Sequence, residues 1–216
     1  MPVAFRAGWL WAAIFLFVLV WSGINPMDRF TWILEVLPAV IAAVVIAATH
    51  PRFPLTPLLF WLALAHCVIL MVGGHYTYAQ VPLFDWLRDA FDLQRNNYDK
   101  LGHFAQGFVP AMAAREILLR FKVVSGRAWL NVLIVCICLA ISAVYEIIEW
   151  IAALVSAQAA ESFLGTQGFV WDTQSDMAWA GFGAITALLL LARAHDRQLR
   201  NMGIETHFSA DTHPGR

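Results

Sequence analysis

Apolar residues gather along this chain in six long stretches, at 8–24, 32–49, 57–74, 100–119, 129–153 and 173–193. Each is close to the ~20 residues a helix needs to cross a hydrocarbon core of ~30 Å. Backbone amides and carbonyls find no partners in lipid, so each stretch predicts a helix. Pro26, Pro51, Pro54 and Pro57 punctuate the early connections, whereas Pro38 and Pro110 fall inside stretches and predict kinks there. The expected fold class is all-α. It is a polytopic transmembrane bundle of about six spans, a single domain over 1–195 followed by a polar cytoplasmic tail at 196–216.

Two connections are longer than the rest. Residues 75–98 contain Pro82-Leu-Phe-Asp-Trp-Leu-Arg-Asp-Ala-Phe, which places Leu83, Trp86, Leu87 and Phe91 on one helical face. That pattern predicts a short helix lying at the membrane interface. Residues 154–171 form the second, with Gly165-Thr-Gln-Gly168 inside it. There is no internal repeat and no low-complexity tract.

Composition supports a membrane protein. Of 216 residues 60% are hydrophobic and 13% charged, against about 25% charged in soluble domains. Ten Trp fit a chain with many interfacial positions. A net charge of −1 offers no basic surface for nucleic acid, and membrane lipids are the partners expected. Cys67, Cys136 and Cys138 lie in apolar runs without zinc or redox spacing, and read as small buried hydrophobes. Arg6 and the run to Ile24 have the look of a secretory signal. They lack a small-x-small site before Asn25-Pro26, so they read as a retained first span.

Lys and Arg near the spans set the orientation. With the N-terminus inside, the cytoplasmic side holds Arg6, Arg52, Arg120, Lys122, Arg127, Arg193, Arg197 and Arg200. The outer side holds Arg29, Arg88, Arg95 and Lys100. Eight against four places both termini in the cytoplasm.

That topology gives the polar residues of the last three spans a common depth. Asp99 opens span four at the outer face, with His103 and Gln106 on the same stripe. Span five runs outward, and Glu146 lies ~25 Å from Trp129 along it, near the outer boundary, with Glu149 beyond. Asp172 opens span six and Asp176 follows one turn deeper. Three helices thus present five carboxylates and one imidazole at one level. Two carboxylates 4 Å apart repel by ~4 kcal/mol at an effective dielectric of 20, so the group needs a metal ion, protons, a cationic partner or water. Ionisable residues within spans usually face the bundle interior and mark function. His103, Glu146, Glu149, Asp172 and Asp176 are the candidate metal ligands, and a divalent metal is the candidate cofactor.

Simpler roles stand beside this one. Asp99 and Asp172 suit helix N-termini as caps, His103 can pair with Asp99 at i, i+4, and Asp176 can sit in interfacial water. Glu146 and Glu149 oppose the dipole at a helix C-terminus and have no such role. Glu35 opens span two, where an acid is at ease, and His66 reads as a core histidine. Arg115-Glu116 reads as an interfacial pair near the inner end, with Arg115 snorkelling. His75, Tyr76 and Tyr78 lie next to the proposed level. His207 and His213 in the tail lack ligand-like company. No phosphate loop, dinucleotide fingerprint, nucleophile elbow or HExxH is present.

The strings Gly73-Gly-His-Tyr-Thr-Tyr, Asn97-Tyr-Asp-Lys-Leu-Gly-His-Phe-Ala-Gln-Gly-Phe, Ala143-Val-Tyr-Glu-Ile-Ile-Glu-Trp, Phe163-Leu-Gly-Thr-Gln-Gly and Val170-Trp-Asp-Thr-Gln-Ser-Asp-Met resemble the YjdF-type family of bacterial inner-membrane proteins. The likeness covers roughly residues 5 to 195. It implies a multi-pass protein of the bacterial inner membrane whose activity is unassigned. Phe169 departs from it, at a position where a small polar or acidic residue is expected. A looser likeness, in Asp99-Lys-Leu-Gly-His103-Phe followed by acids and a glycine-bearing last span, is to VanZ-like membrane proteins. The spacing of Gly181 and Gly183 does not follow that pattern closely, and no mechanism is carried over from it.

Three functions compete. The first is a polar site near the outer leaflet that binds a cation or a lipid-linked head group. The second is a membrane-embedded enzyme whose metal activates water on a lipid head group. The third, a proton- or cation-coupled transporter, needs polar residues in both halves of the bundle. The inner half offers only Arg115 and Glu116, which ranks it last.

Overall fold

The computed structural model describes residues 2–155 and 166–204. The first part of the 154–171 connection, including Gly165, and the tail with His207 and His213 lie outside the described residues, as does the side chain of Arg6. Among the described residues there are seven helices and no strand: α1 (Pro2–Gly23), α2 (Arg29–Thr49), α3 (Pro57–His75), α4 (Pro82–Ala90), α5 (Tyr98–Arg120), α6 (Arg127–Val155) and α7 (Asp172–Asn201).

Six of these coincide with the apolar stretches, and α4 is the short amphipathic helix. Leu83 and Trp86 on α4, with Phe91 just beyond it, are more than half exposed, whereas Phe84 turns inward against Tyr98. Local signals start the helices where caps satisfy free amides. Asp28 accepts from the Thr31 amide at 2.7 Å ahead of α2. Thr56 caps α3, with Pro57 in the first turn.

Helices α2, α3, α6 and α7 are long and apolar enough to cross a membrane, while the apolar part of α1, Ala7–Gly23, is shorter. Helix α5 has 23 residues, but Asp99, Lys100, His103, Gln106, Arg115 and Glu116 break its apolarity. The last four of these are buried. They face protein, where lipid does not decide what a helix carries.

Helix α3 gathers α1, α2 and α5 around it, and α5 in turn packs on α6 and α7. The α1–α2, α3–α5 and α6–α7 connections leave from one end of the bundle, the upper end; the α2–α3 and α5–α6 connections leave from the lower end. The closest pairing is α5 with α7, made possible by glycines. A Cβ on Gly107 would overlap the backbone of Ala180, and one on Gly183 would overlap the backbone of Phe104. Small residues of this kind let membrane helices approach closely.

The last helix extends past the predicted end at 193. Residues 196–201, assigned to the tail, continue α7 to Asn201. His195 and Leu199, one turn apart, are both fully buried, and Gln198 Oε1 accepts from the Leu58 amide at 2.8 Å. Polar composition suggested a tail, but these residues have partners at the lower end.

Candidate functional site

Three local devices build the upper end. At the end of α3, Thr77 and Tyr78 adopt the left-handed conformation (φ 53° each). The Tyr78 amide donates to Gly73 O at 2.8 Å. The turn folds the Tyr78 ring back between α3 and α5. A Cβ on Gly73 would run into that ring, and one on Gly102 would lie 2.8 Å from its Cε1. Asn96, fully buried, starts α5: its amide donates to Gln167 Oε1 at 3.0 Å, and Gln167 Nε2 returns a bond to Asn96 O at 2.8 Å. This clasp ties the segment before α7 to the segment before α5. The α5–α7 glycine crossing then sets the two helices' acids face to face.

His103 sits at the centre. Its Nε2 lies 3.4 Å from Asp99 Oδ1, and its Nδ1 lies 3.1 Å from Gln106 Oε1 and 3.9 Å from Glu146 Oε1. One ligand atom each from Asp99, His103 and Asp176 fall within 4.8 Å of one another. Asp176 is 3% exposed and Glu146 8%, and each keeps one buried carboxylate oxygen without a hydrogen-bond partner. Glu149, equally buried, lines a cavity of about 140 Å³ together with Asp99, His103 and Gln106. Neither Glu146 nor Glu149 points into lipid.

Asp172 is placed differently from the other acids. It pairs with Arg95 in a contact that is nearly closed to solvent on both sides. Arg95 also donates to Thr166 O at 3.1 Å and lies 4.7 Å from the centre of the Phe169 ring. Phe169, out of pattern in the sequence, thus supplies a cation–π face to the arginine. An acid already neutralised by guanidinium is a poor metal ligand; Asp172 anchors the rim.

The structure adds Glu35, Tyr78 and Tyr145 to the cavity wall. Glu35 is 4% exposed, and Tyr145 Oη donates to its Oε2 at 2.8 Å. Glu35 shares the depth of the other acids on an outer helical turn, a signal available in the sequence and masked by its comfortable place near a helix start. His66 also reaches this cavity, and its Nε2 is buried without a partner.

The lower end holds a second polar cluster, so Arg115 and Glu116 do not form the simple interfacial pair expected. Glu116, fully buried, accepts from the Thr56 amide (3.1 Å), Thr56 Oγ1 (2.8 Å) and Arg120 (3.0 Å). His195 Nε2 lies 2.9 Å from Glu116, and its Nδ1 lies 2.9 Å from Arg115 Nη1. Arginine can only donate, so Nδ1 accepts and the Nε2 proton goes to Glu116. Arg115 also pairs with Asp196 at 2.6 Å. This cluster is ~20 Å from His103 along α5. Past Gln106, which belongs to the upper site, the buried side chains of α5 before Arg115 are those of Val109, Ala111, Met112 and Ala114, all apolar, so no polar path joins the two ends along that helix.

The comparisons with known proteins agree with the sequence strings. A family model described as "Predicted membrane protein (DUF2238)" matches residues 7–197. The Escherichia coli (strain K12) protein named "Inner membrane protein YjdF" is 53% identical over 189 residues, covering 88% of this chain and 90% of that one. No solved structure matches the chain, and the looser likeness to VanZ-like proteins gains no support from these matches. A multi-pass location in the bacterial inner membrane follows from the relative and from the apolar helices. The chain belongs to the DUF2238 family of predicted membrane proteins.

Proposed function

We propose that the upper end is a cation site just beneath the periplasmic surface, in a six-span bundle with both termini in the cytoplasm. A divalent metal is held by Asp99, His103 and Asp176, with Glu146 and Glu149 in reserve. The carrying observation is the convergence of the three ligand atoms within 4.8 Å, one of the two Asp176 oxygens being buried and unpartnered. Metal–ligand bonds of ~2.0–2.2 Å for zinc or magnesium, and ~2.3–2.6 Å for calcium, put ligand atoms no further apart than ~4.4 to ~5.2 Å. The observed spread is within a small side-chain adjustment of that limit. A positive ion also offsets the repulsion among acids that share one small cavity.

The expected result is that protein purified without chelator retains about one Mn²⁺, read by paramagnetic resonance after exchange. Asp176→Asn or His103→Ala weakens retention by more than about tenfold, since even outer-shell changes cost 10–100-fold. Ion at 100 times the wild-type Kd adds ~2.7 kcal/mol of stability and a tenfold weaker site keeps ~1.4 kcal/mol of it, so chelator lowers the melting temperature of wild-type protein and shifts Asp176→Asn by about half as much or less. A wild-type chain that holds no ion, and melts alike with and without chelator, removes this reading.

A second reading is a metal-dependent enzyme acting on a lipid head group. It is favoured by the cavity beside the ligand trio, where Glu35 hydrogen-bonds Tyr145 and is not needed as a ligand. A metal held by the trio would supply activation of water, and Glu35 would be the acid of the cavity wall that accepts the proton. Glu35→Gln then keeps the ion and abolishes a lipid conversion. Unchanged membrane lipids in a deletion strain count against it.

A further inference from the structure

Helix α5 places Gln106 three residues after His103, the spacing at which two side chains meet on a helix surface. Both are buried, so their contact is shut off from bulk water. The two nitrogens of the imidazole ring meet different neighbours. Nδ1 lies 3.1 Å from Gln106 Oε1 and 3.9 Å from Glu146 Oε1. Nε2 lies 3.4 Å from Asp99 Oδ1.

These distances decide where the ring proton sits. An amide oxygen can only accept, so Nδ1 donates to Gln106. The oxygen beyond it, Glu146 Oε1, is buried and has no hydrogen-bond partner, and its negative charge draws the proton to the same side. An N–H on Nε2 would face the Asp99 carboxylate instead. Charge-assisted bonds of that kind close to ~2.7–2.9 Å, and 3.4 Å is well outside that range. Nε2 therefore keeps its lone pair and turns it toward Asp99. A lone pair aimed at a carboxylate calls for a positive charge between the two, and the ligand atoms of Asp99, His103 and Asp176 converge there.

We propose that Gln106 is the positioning residue of the cation site. Its Oε1 holds His103 in the tautomer that carries the proton on Nδ1, and so aims the Nε2 lone pair at the ion. Histidines that bind metals are commonly oriented in this way by an acceptor behind the ring. A carboxylate at 106 would serve as acceptor but would add a further negative charge to a site already crowded with acids. An amide orients the ring without that charge, and Glu146 reinforces the orientation from α6. The inference rests on the cation reading, which supplies the ion.

The test uses the full chain loaded with Mn²⁺ and labelled with histidine carrying ¹⁵N at one ring position. Pulsed paramagnetic resonance is expected to show the strong coupling of a directly bound nitrogen when the label is at Nε2. With the label at Nδ1 the ¹⁵N coupling is weak and remote. The pattern persists in His66→Phe, which removes the other imidazole of the cavity. Gln106→Met, close in size but without an acceptor, weakens Mn²⁺ binding about 10–100-fold, as other outer-shell changes do. Gln106→Glu, which restores an acceptor oxygen, binds Mn²⁺ at least as tightly as wild type. A side chain that merely filled space would give the reverse order, with Met tolerated and Glu not. The labelling is read on wild-type protein, so it stands whether or not a variant folds. Mn²⁺ bound through Nδ1, or held equally well by Gln106→Met and wild type, overturns the role of Gln106 and leaves the cation site intact. Wild-type protein that binds no Mn²⁺ overturns the cation reading, and this inference with it.

Discussion

Gly107→Ala is expected to unsettle both the fold and the metal site, although it adds only a methyl group. The new Cβ would overlap the carbonyl and Cα of Ala180 across the α5–α7 crossing. Backbone atoms cannot rotate away as a side chain can, so the helices must part. Overpacking of a well-filled interior costs about 1–3 kcal/mol, and a backbone clash belongs at the upper end. The crossing lies one turn below His103 on α5 and one turn from Asp176 on α7. Separating the helices there widens the span between the candidate ligands directly above. Retained Mn²⁺ should fall together with the melting temperature. Gly183→Ala, which would meet Phe104 O and the Phe108 amide from the other side, should behave alike. Gly8→Ala is the control: its Cβ would find nothing within 4 Å, and a helical Gly-to-Ala change is neutral or stabilising by about 0.5–1 kcal/mol. If Gly107→Ala melts with wild type and holds its ion, the α5–α7 crossing is looser than described.

The same crossing explains how much of this protein was legible beforehand. Apolar length alone located all six long helices, because lipid forbids any other way of satisfying the backbone. Depth arithmetic along those helices brought His103, Glu146, Glu149 and Asp176 to one level, and the structure brings the four together. Rotation about each helix axis was less accessible. Tyr145 precedes Glu146 in sequence, yet both reach the site from adjacent faces of α6. Glu35 lies at the right depth but also near a helix start, and a favourable dipole position explains an acid without requiring a partner. Asp172 had the right depth and a partner invisible to periodicity: Arg95, 77 residues away, lies in the α3–α5 connection. At the lower end the sequence showed a polar run after residue 193 and nothing to say that His195 and Leu199 would be covered by α3 and α5. Long-range pairing of polar groups leaves no periodic trace in the sequence, and both surprises are of this kind.

The lower cluster yields the second large effect. Glu116 accepts bonds from the Thr56 amide, Thr56 Oγ1, Arg120 and His195 while fully buried. Glu116→Ala leaves these donors facing a void, and Arg120 loses its counter-charge while Arg115 keeps Asp196. Removing one partner of a buried ion pair costs about 3–5 kcal/mol. Glu116→Gln keeps the shape and one acceptor oxygen but turns an amide NH₂ toward groups that, the Thr56 hydroxyl apart, only donate here. Bonds to charged groups contribute about 1.5–3 kcal/mol, so its loss should be smaller than that of the alanine variant. Thermal unfolding in detergent should rank them wild type, Gln, Ala. Sites more than 7–10 Å apart with no shared partners act additively, and the upper site is ~20 Å away along α5 with only apolar side chains buried between. The folded fraction of Glu116→Gln should therefore hold Mn²⁺ as wild type does. A Glu116→Gln protein that is well folded yet loses the ion would couple the two ends. A charge-coupled path through the bundle, ranked last on the apolar character of its inner half, would then become the leading function.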